Sequence, residues 1–196
     1  LDGEARVLLD PNKLSADGTV ALTGISFSHD GKYMAYTISR SGSDWTEIYV
    51  IDAESGRPLD DHIVWAKFTD AAWHGDGFYY SAYDAPVKGK EYSNVNENHK
   101  IYYHKIGTPQ QADRLVYENK AYPKRFYTAS VSKDETVMFI YESGAGAGNA
   151  LYVKDLRTPD APLKAMAYDM DYTYYPVEVT GGRIYLMTNN GAPKYR

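Results

Sequence analysis

Seven short runs recur along the chain, YMAYTIS, EIYVID, GFYYSAY, KIYYHKI, TVMFIYES, ALYVKDL and RIYLMT, each bounded by Gly, Asp, Asn, Ser or Pro. They set aromatic or β-branched residues at period two, the pattern of strands that bury one face or both. No window longer than about ten residues holds the i, i+3, i+4 spacing of an amphipathic helix. The chain therefore reads as all-β, and its twenty tyrosines belong mostly to strands.

The runs also return in a fixed order. Residues 23–59, TGISFSHDGKYMAYTISRSGSDWTEIYVIDAESGRPL, give a strand, a turn at Asp30 and Gly31, an apolar strand, a polar loop, an IYV strand and a closing segment. A second round runs from TDAAWHGDGFYYSAY, with its turn at Asp76 and Gly77, through KIYYHKI to DRLVYE. TASVSKDETVMFIYES, NALYVKDL and PLKAMAY form a third, and YPVEVTGGRIYLMTNN, turning at Gly181 and Gly182, opens a fourth. Turns about 45 to 60 residues apart have the spacing of four-stranded β-propeller blades. Asp30, Asp76 and Asp134 are expected to cap these tight turns.

EARVLLDP near the start resembles ADRLVYEN, the closing strand of a round. The expected architecture is thus one orphan strand followed by about three and a half to four blades, all within a single partial-propeller domain over residues 1–196. Such an open arc leaves strand edges unpaired, which natural domains avoid. The chain is therefore expected to be part of a longer protein, and to self-associate through those edges if isolated.

Composition narrows the function. The formal charge is -5, with 21 basic against 26 acidic residues. A nucleic-acid face gathers its cations into a stripe, and these are scattered, which argues against such a partner. No run approaches the eighteen apolar residues of a membrane span. The opening LDGEARVLLDPNK lacks the pattern of a secretion signal, which fixes no compartment for a piece of a longer protein; the chain is expected to be soluble, with cytoplasm and periplasm both open. Cys is absent, which removes thiolate metal sites and a Cys nucleophile.

His99 and His104 are five apart, and on a strand that spacing sends them to opposite faces. A paired metal site needs even spacing on a strand or i, i+4 on a helix, so both are expected to be structural and no cofactor is implied. ESGAGAGNALYV, with Gly144 to Asn149, departs from a dinucleotide loop because Asn149 stands where the third Gly belongs and a strand follows. It is expected to be a flexible loop. No G-x-S-x-G elbow occurs; GISFS ends in Ser28. No catalytic residue is found in the chain. Two uses are open to Trp45, Trp65, Phe68, Trp73 and Phe126: packing between blades, or projection toward a ligand in the central channel.

RVLLDPNKLSADGTVAL, SFSHDGKYMAYTISRSGSDWTEIYVID, NHKIYYHKIGT and TNNGAPKYR resemble the propeller domain of the prolyl oligopeptidase (prolyl endopeptidase) family, in order along essentially the whole chain. The resemblance implies a ring of about seven blades, capping an α/β-hydrolase domain of the same polypeptide. That domain holds a Ser-Asp-His triad and cuts short peptides after proline, while the propeller excludes folded proteins. The resemblance also implies that Phe68, in WAKF, lines the subsite two residues upstream of the proline, and that Phe126, in PKRF, lines the same wall. A family cysteine on that wall would fall in Gly144 to Asn149, where this chain is one residue shorter and has none.

Overall fold

A computed structural model describes residues 3–90 and 95–196. Among these residues fourteen strands follow one another, with 3₁₀ turns at Pro11–Lys13 and Gln110–Ala112. The first blade comprises β1 (Val20–Phe27), β2 (Tyr33–Arg40), β3 (Thr46–Asp52) and β4 (Pro58–Ala66), each antiparallel to the next. The second comprises β5 (Ala72–His74), β6 (Gly77–Ala82), β7 (Lys100–Lys105) and β8 (Arg114–Glu118). One backbone pair, Ala66 at the end of β4 with Ala82 at the end of β6, joins these two blades. The third blade is β9 (Phe126–Val131), β10 (Val137–Ser143), β11 (Asn149–Asp155) and β12 (Lys164–Ala167), and β13 (Tyr174–Thr180) pairs with β14 (Arg183–Thr188) as half of a fourth.

The core lies between blades, and the second strand of each blade divides it. Along β2, Ala35 faces the second blade while Met34, Tyr36 and Ile38 face the other way, onto Leu8, Leu9 and Leu14. Along β6, Phe78 and Tyr80 pack with Ile48 and Ile63 of the first blade, and Tyr79 packs with Tyr127 and Ile140 of the third. Met138 and Ile140 of β10 look back to the second blade, while Val137 and Phe139 meet Tyr174 of the fourth. Strands covered on both faces need apolar residues at successive positions, which is why these middle runs are the most continuous in the sequence.

The turns repeat a device. Ser28 Oγ donates to Asp30 Oδ1 at 2.6 Å and Ser132 Oγ to Asp134 Oδ1 at 2.6 Å, and each carboxylate also accepts a backbone N–H two residues on, from Lys32 and Thr136. Asp76 differs from expectation. The hairpin closes with the His74–Gly77 backbone pair around Gly75 and Asp76, and the Asp76 carboxylate instead takes the Tyr103 hydroxyl and Lys105. The orphan strand at the start is a second correction: residues 3–10 form no strand. A strand needs a partner for its backbone groups, and this segment instead lays Leu8 and Leu9 against β2 and β3 while Arg6 donates to the Ala53 carbonyl at 2.9 Å.

Polar side chains bind the first blade to the second. His104 is fully buried, with Nε2 2.9 Å from Asp61 Oδ1 and Nδ1 2.8 Å from Asp113 Oδ1. Asp61 also accepts the Gly107 N–H, and Asp113 accepts the Tyr80 hydroxyl. Burial disfavours the imidazolium, but the bonds to Asp113 and Asp61 outweigh it and hold the His104 pKa above its ordinary value. Nearby, the Gln110 amide meets Val64 twice, accepting its N–H at 3.0 Å and donating to its carbonyl at 2.9 Å.

Candidate functional site

Each blade begins where the chain crosses from the last strand of the preceding blade. At two successive crossings an aromatic side chain is placed. Phe68 lies between β4 and β5, and Phe126 is the first residue of β9. The fold brings them together, with ring centroids 5.1 Å apart and planes tilted by 39°. Phe126 is half-buried; Phe68, at 51% exposure, is among the largest apolar groups left open to solvent. The two residues named by resemblance therefore form one surface.

Polar residues frame this pair. The Lys67 side chain is almost wholly covered, its Nζ 5.0 Å above the Trp45 ring and 5.4 Å from the Phe68 ring, and 3.5 Å from Asp44. Arg125 precedes Phe126 and sends its guanidinium to the buried carboxylate of Glu142, whose other oxygen accepts the Tyr152 hydroxyl at 2.7 Å. The same guanidinium lies 3.7 Å above the Tyr122 ring. Both cations beside the aromatic pair are thus matched by an acid, and the surface offered is apolar.

The other aromatics separate by role. Trp73 is buried and donates from Nε1 to Ser26 of the first blade, so it packs between blades. Trp45 lies edge-on to Trp65, at 5.6 Å, and to Tyr83, at 6.0 Å. Gly144 to Asn149 is more constrained than a flexible loop. A Cβ on Gly148 would stand 2.4 Å from the Met170 carbonyl, and the buried Asn149 side chain accepts the Tyr174 N–H and donates to its carbonyl. Gly144 lies beside Arg125 and Met170, near the aromatic pair but without a side chain to add to it.

Sequence reasoning placed His99 on a structural strand, without its partners. It is fully buried just before β7, with Nε2 3.0 Å from the Lys67 carbonyl and Nδ1 accepting the Tyr127 N–H at 2.9 Å. His104 has acquired carboxylate neighbours from 43 and nine residues away, at opposite edges of its ring, which chain spacing could not reveal. Among the described residues no three His, Cys, Asp or Glu are disposed to hold a metal ion, and no helix is long and apolar enough to cross a membrane.

Comparison with known proteins places this geometry. The family model for the prolyl oligopeptidase N-terminal β-propeller domain matches residues 1–196. A prolyl endopeptidase of Elizabethkingia meningoseptica is 37% identical over 195 residues, covering 99% of this chain and 28% of that protein. A dual function macrocyclase-peptidase of Galerina marginata is 31% identical over 214 residues, covering all of the chain and 29% of its own length. A solved prolyl endopeptidase superposes with a TM-score of 0.88 at 32% identity, over 98% of this chain and 27% of that one. Prolyl oligopeptidase B from Galerina marginata, bound to a 35mer hydrolysis and macrocyclization substrate, gives 0.86 at 29% identity, over 95% of this chain and 28% of that one. The chain spans a little over a quarter of the curated relatives it matches. With the blade order, the inter-blade core and the whole-length match in agreement, the chain belongs to the prolyl oligopeptidase N-terminal β-propeller family.

Proposed function

We propose that this chain is the substrate-gating propeller portion of a prolyl-specific serine endopeptidase that cleaves short peptides after proline. The catalytic α/β-hydrolase domain, with nucleophile, base and oxyanion hole, is assigned to the remainder of the same polypeptide, so the chain alone is inactive. The observation that carries this reading is the match along the full chain to proteins named prolyl endopeptidase. Propellers serve many functions, so the fold by itself does not choose among them.

Phe68 and Phe126 supply the local chemistry. Their apolar surface suits a hydrophobic side chain of the peptide two residues upstream of the proline, and Lys67 and Arg125 beside it are each paired with an acid. Phe68→Ala in the parent protein is expected to lower kcat/KM about tenfold or more for peptides with a bulky residue there, and much less for those with Ala. Equal losses would remove Phe68 from the subsite. The reading as a whole is tested by isolating the natural protein with an antibody to this chain and treating it with a serine-directed fluorophosphonate. A labelled species several-fold heavier than the chain is expected. An unlabelled species of the chain's own mass would leave a binding module without peptidase activity.

A further inference from the structure

Phe68 adopts φ +54°, in the left-handed region where a bulky residue is an outlier. Trp65, three residues earlier, does the same at +60°. Such conformations persist where the surroundings over-determine them, and they gather where ligands are held. Here the constraint is a set of hydrogen bonds to the peptide units around Phe68. The Lys67 N–H donates to the Ser81 carbonyl at 3.3 Å, and Thr128 Oγ1 donates to the Phe68 carbonyl at 3.2 Å. Between them, the Lys67 carbonyl meets His99 Nε2 at 3.0 Å.

The other nitrogen of the same ring reaches the second aromatic. His99 Nδ1 accepts the N–H of Tyr127, the residue after Phe126. Because Nδ1 accepts, Nε2 carries the proton and donates, so the neutral Nε2–H tautomer satisfies both partners at once. Burial keeps the ring in that form, with its pKa lowered to about 4. Tyr83 lies against the imidazole, 4.4 Å between centroids, and Phe68 meets it edge-on at 6.3 Å. One side chain therefore fixes the backbone immediately before Phe68 and immediately after Phe126, across the junction of two blades.

We propose that His99 is a positioning residue for substrate selection, setting the spacing of the Phe68–Phe126 pair through Lys67 and Tyr127. The role as a selection device rests on the subsite reading above; the positioning itself does not.

The experiment uses the full-length parent protein with His99→Leu and His99→Gln, and two readouts. The first is kcat and KM on paired peptides differing only in a bulky residue or Ala two positions before the proline. The second is the ¹⁹F spectrum of 4-fluorophenylalanine installed at position 68. His99→Leu is expected to raise KM about tenfold for the bulky peptide, to leave kcat on the Ala peptide unchanged, and to broaden or split the ¹⁹F line. His99→Gln, whose amide offers the same donor and acceptor, is expected to restore most of both. An unchanged preference with a sharp ¹⁹F line in His99→Leu overturns the proposal, as does a Gln variant as impaired as Leu. If His99→Leu does not fold, Thr128→Val, which removes only a half-buried hydroxyl, carries the same expectation at reduced size; no change in either readout then overturns it. A parent protein showing no preference would sink the subsite reading, while the ¹⁹F line would still decide the positioning.

Discussion

His104→Leu tests how the first two blades are held together. In the native protein one imidazole separates the Asp61 and Asp113 carboxylates, both of whose side chains are 2% exposed. Leucine fills much of the same space but leaves two buried carboxylates without their common cation. The Gly107 N–H and the Tyr80 hydroxyl remain as donors, one to each acid. Removing one partner from a buried charged cluster costs about 3–5 kcal/mol. At about 1.4 kcal/mol per tenfold, amide exchange in β7 is expected to quicken by a hundredfold to a few thousandfold. Exchange of the parent protein read by mass spectrometry localises the effect, with β10 as the internal control.

The pH dependence has a definite sign. The folded pKa of His104 lies above its ordinary value near 6.5, so its contribution is complete below about that pH and is lost as pH rises through the higher folded value. The difference between parent and variant should therefore be widest in mild acid and narrow in alkali. A β7 exchange change below tenfold at pH 6, or a gap that widens in alkali, would refute the charged-clasp account.

Two further substitutions probe the backbone. Glu135 takes φ +55° where the equivalent turn of the first blade has Gly31 at +71°, and its carboxylate accepts the Gly75 N–H of the second blade at 2.7 Å. Glu135→Ala, which keeps the strain and loses the bond, should destabilise by about 1–2 kcal/mol, and Glu135→Gly by less than half of that; denaturation of the parent protein that ranks them the other way would count against the trade. Gly148→Ala places a methyl within 2.4 Å of the Met170 carbonyl and 2.6 Å of the Tyr172 carbonyl, so it should cost more than about 3 kcal/mol, against about 1–2 kcal/mol for Gly31→Ala, where nothing lies within 4 Å and only the φ of +71° is strained; a folded, equally stable variant would show that the junction of the third and fourth blades gives way easily.

The sequence disclosed what is periodic. The alternation in β2, β6 and β10, and the turns capped by Asp30 and Asp134, are local patterns with local causes, and both were legible, though the serines that donate to those carboxylates were not named as their partners. Residues 4–11 carried the same strand pattern, but a pattern states only what a segment could do if a neighbour offered its edge. Phe68 and Phe126 could be named only through resemblance, since nothing local says that two blade crossings meet. His99 and His104 were read as structural from their spacing, while their partners remained hidden. Polar bonds between blades have no period, and a histidine bonded to a distant carbonyl is spelled like any other histidine.

Gln110 bears on how a blade ends. By offering Val64 one acceptor and one donor, its amide presents what the backbone of another strand would present. An incoming strand at that point would find both groups already engaged. The second blade thus shields the first from unwanted strand addition at this point, through a side chain the first blade does not own, and a first blade excised on its own would lose that shield together with the core the two share.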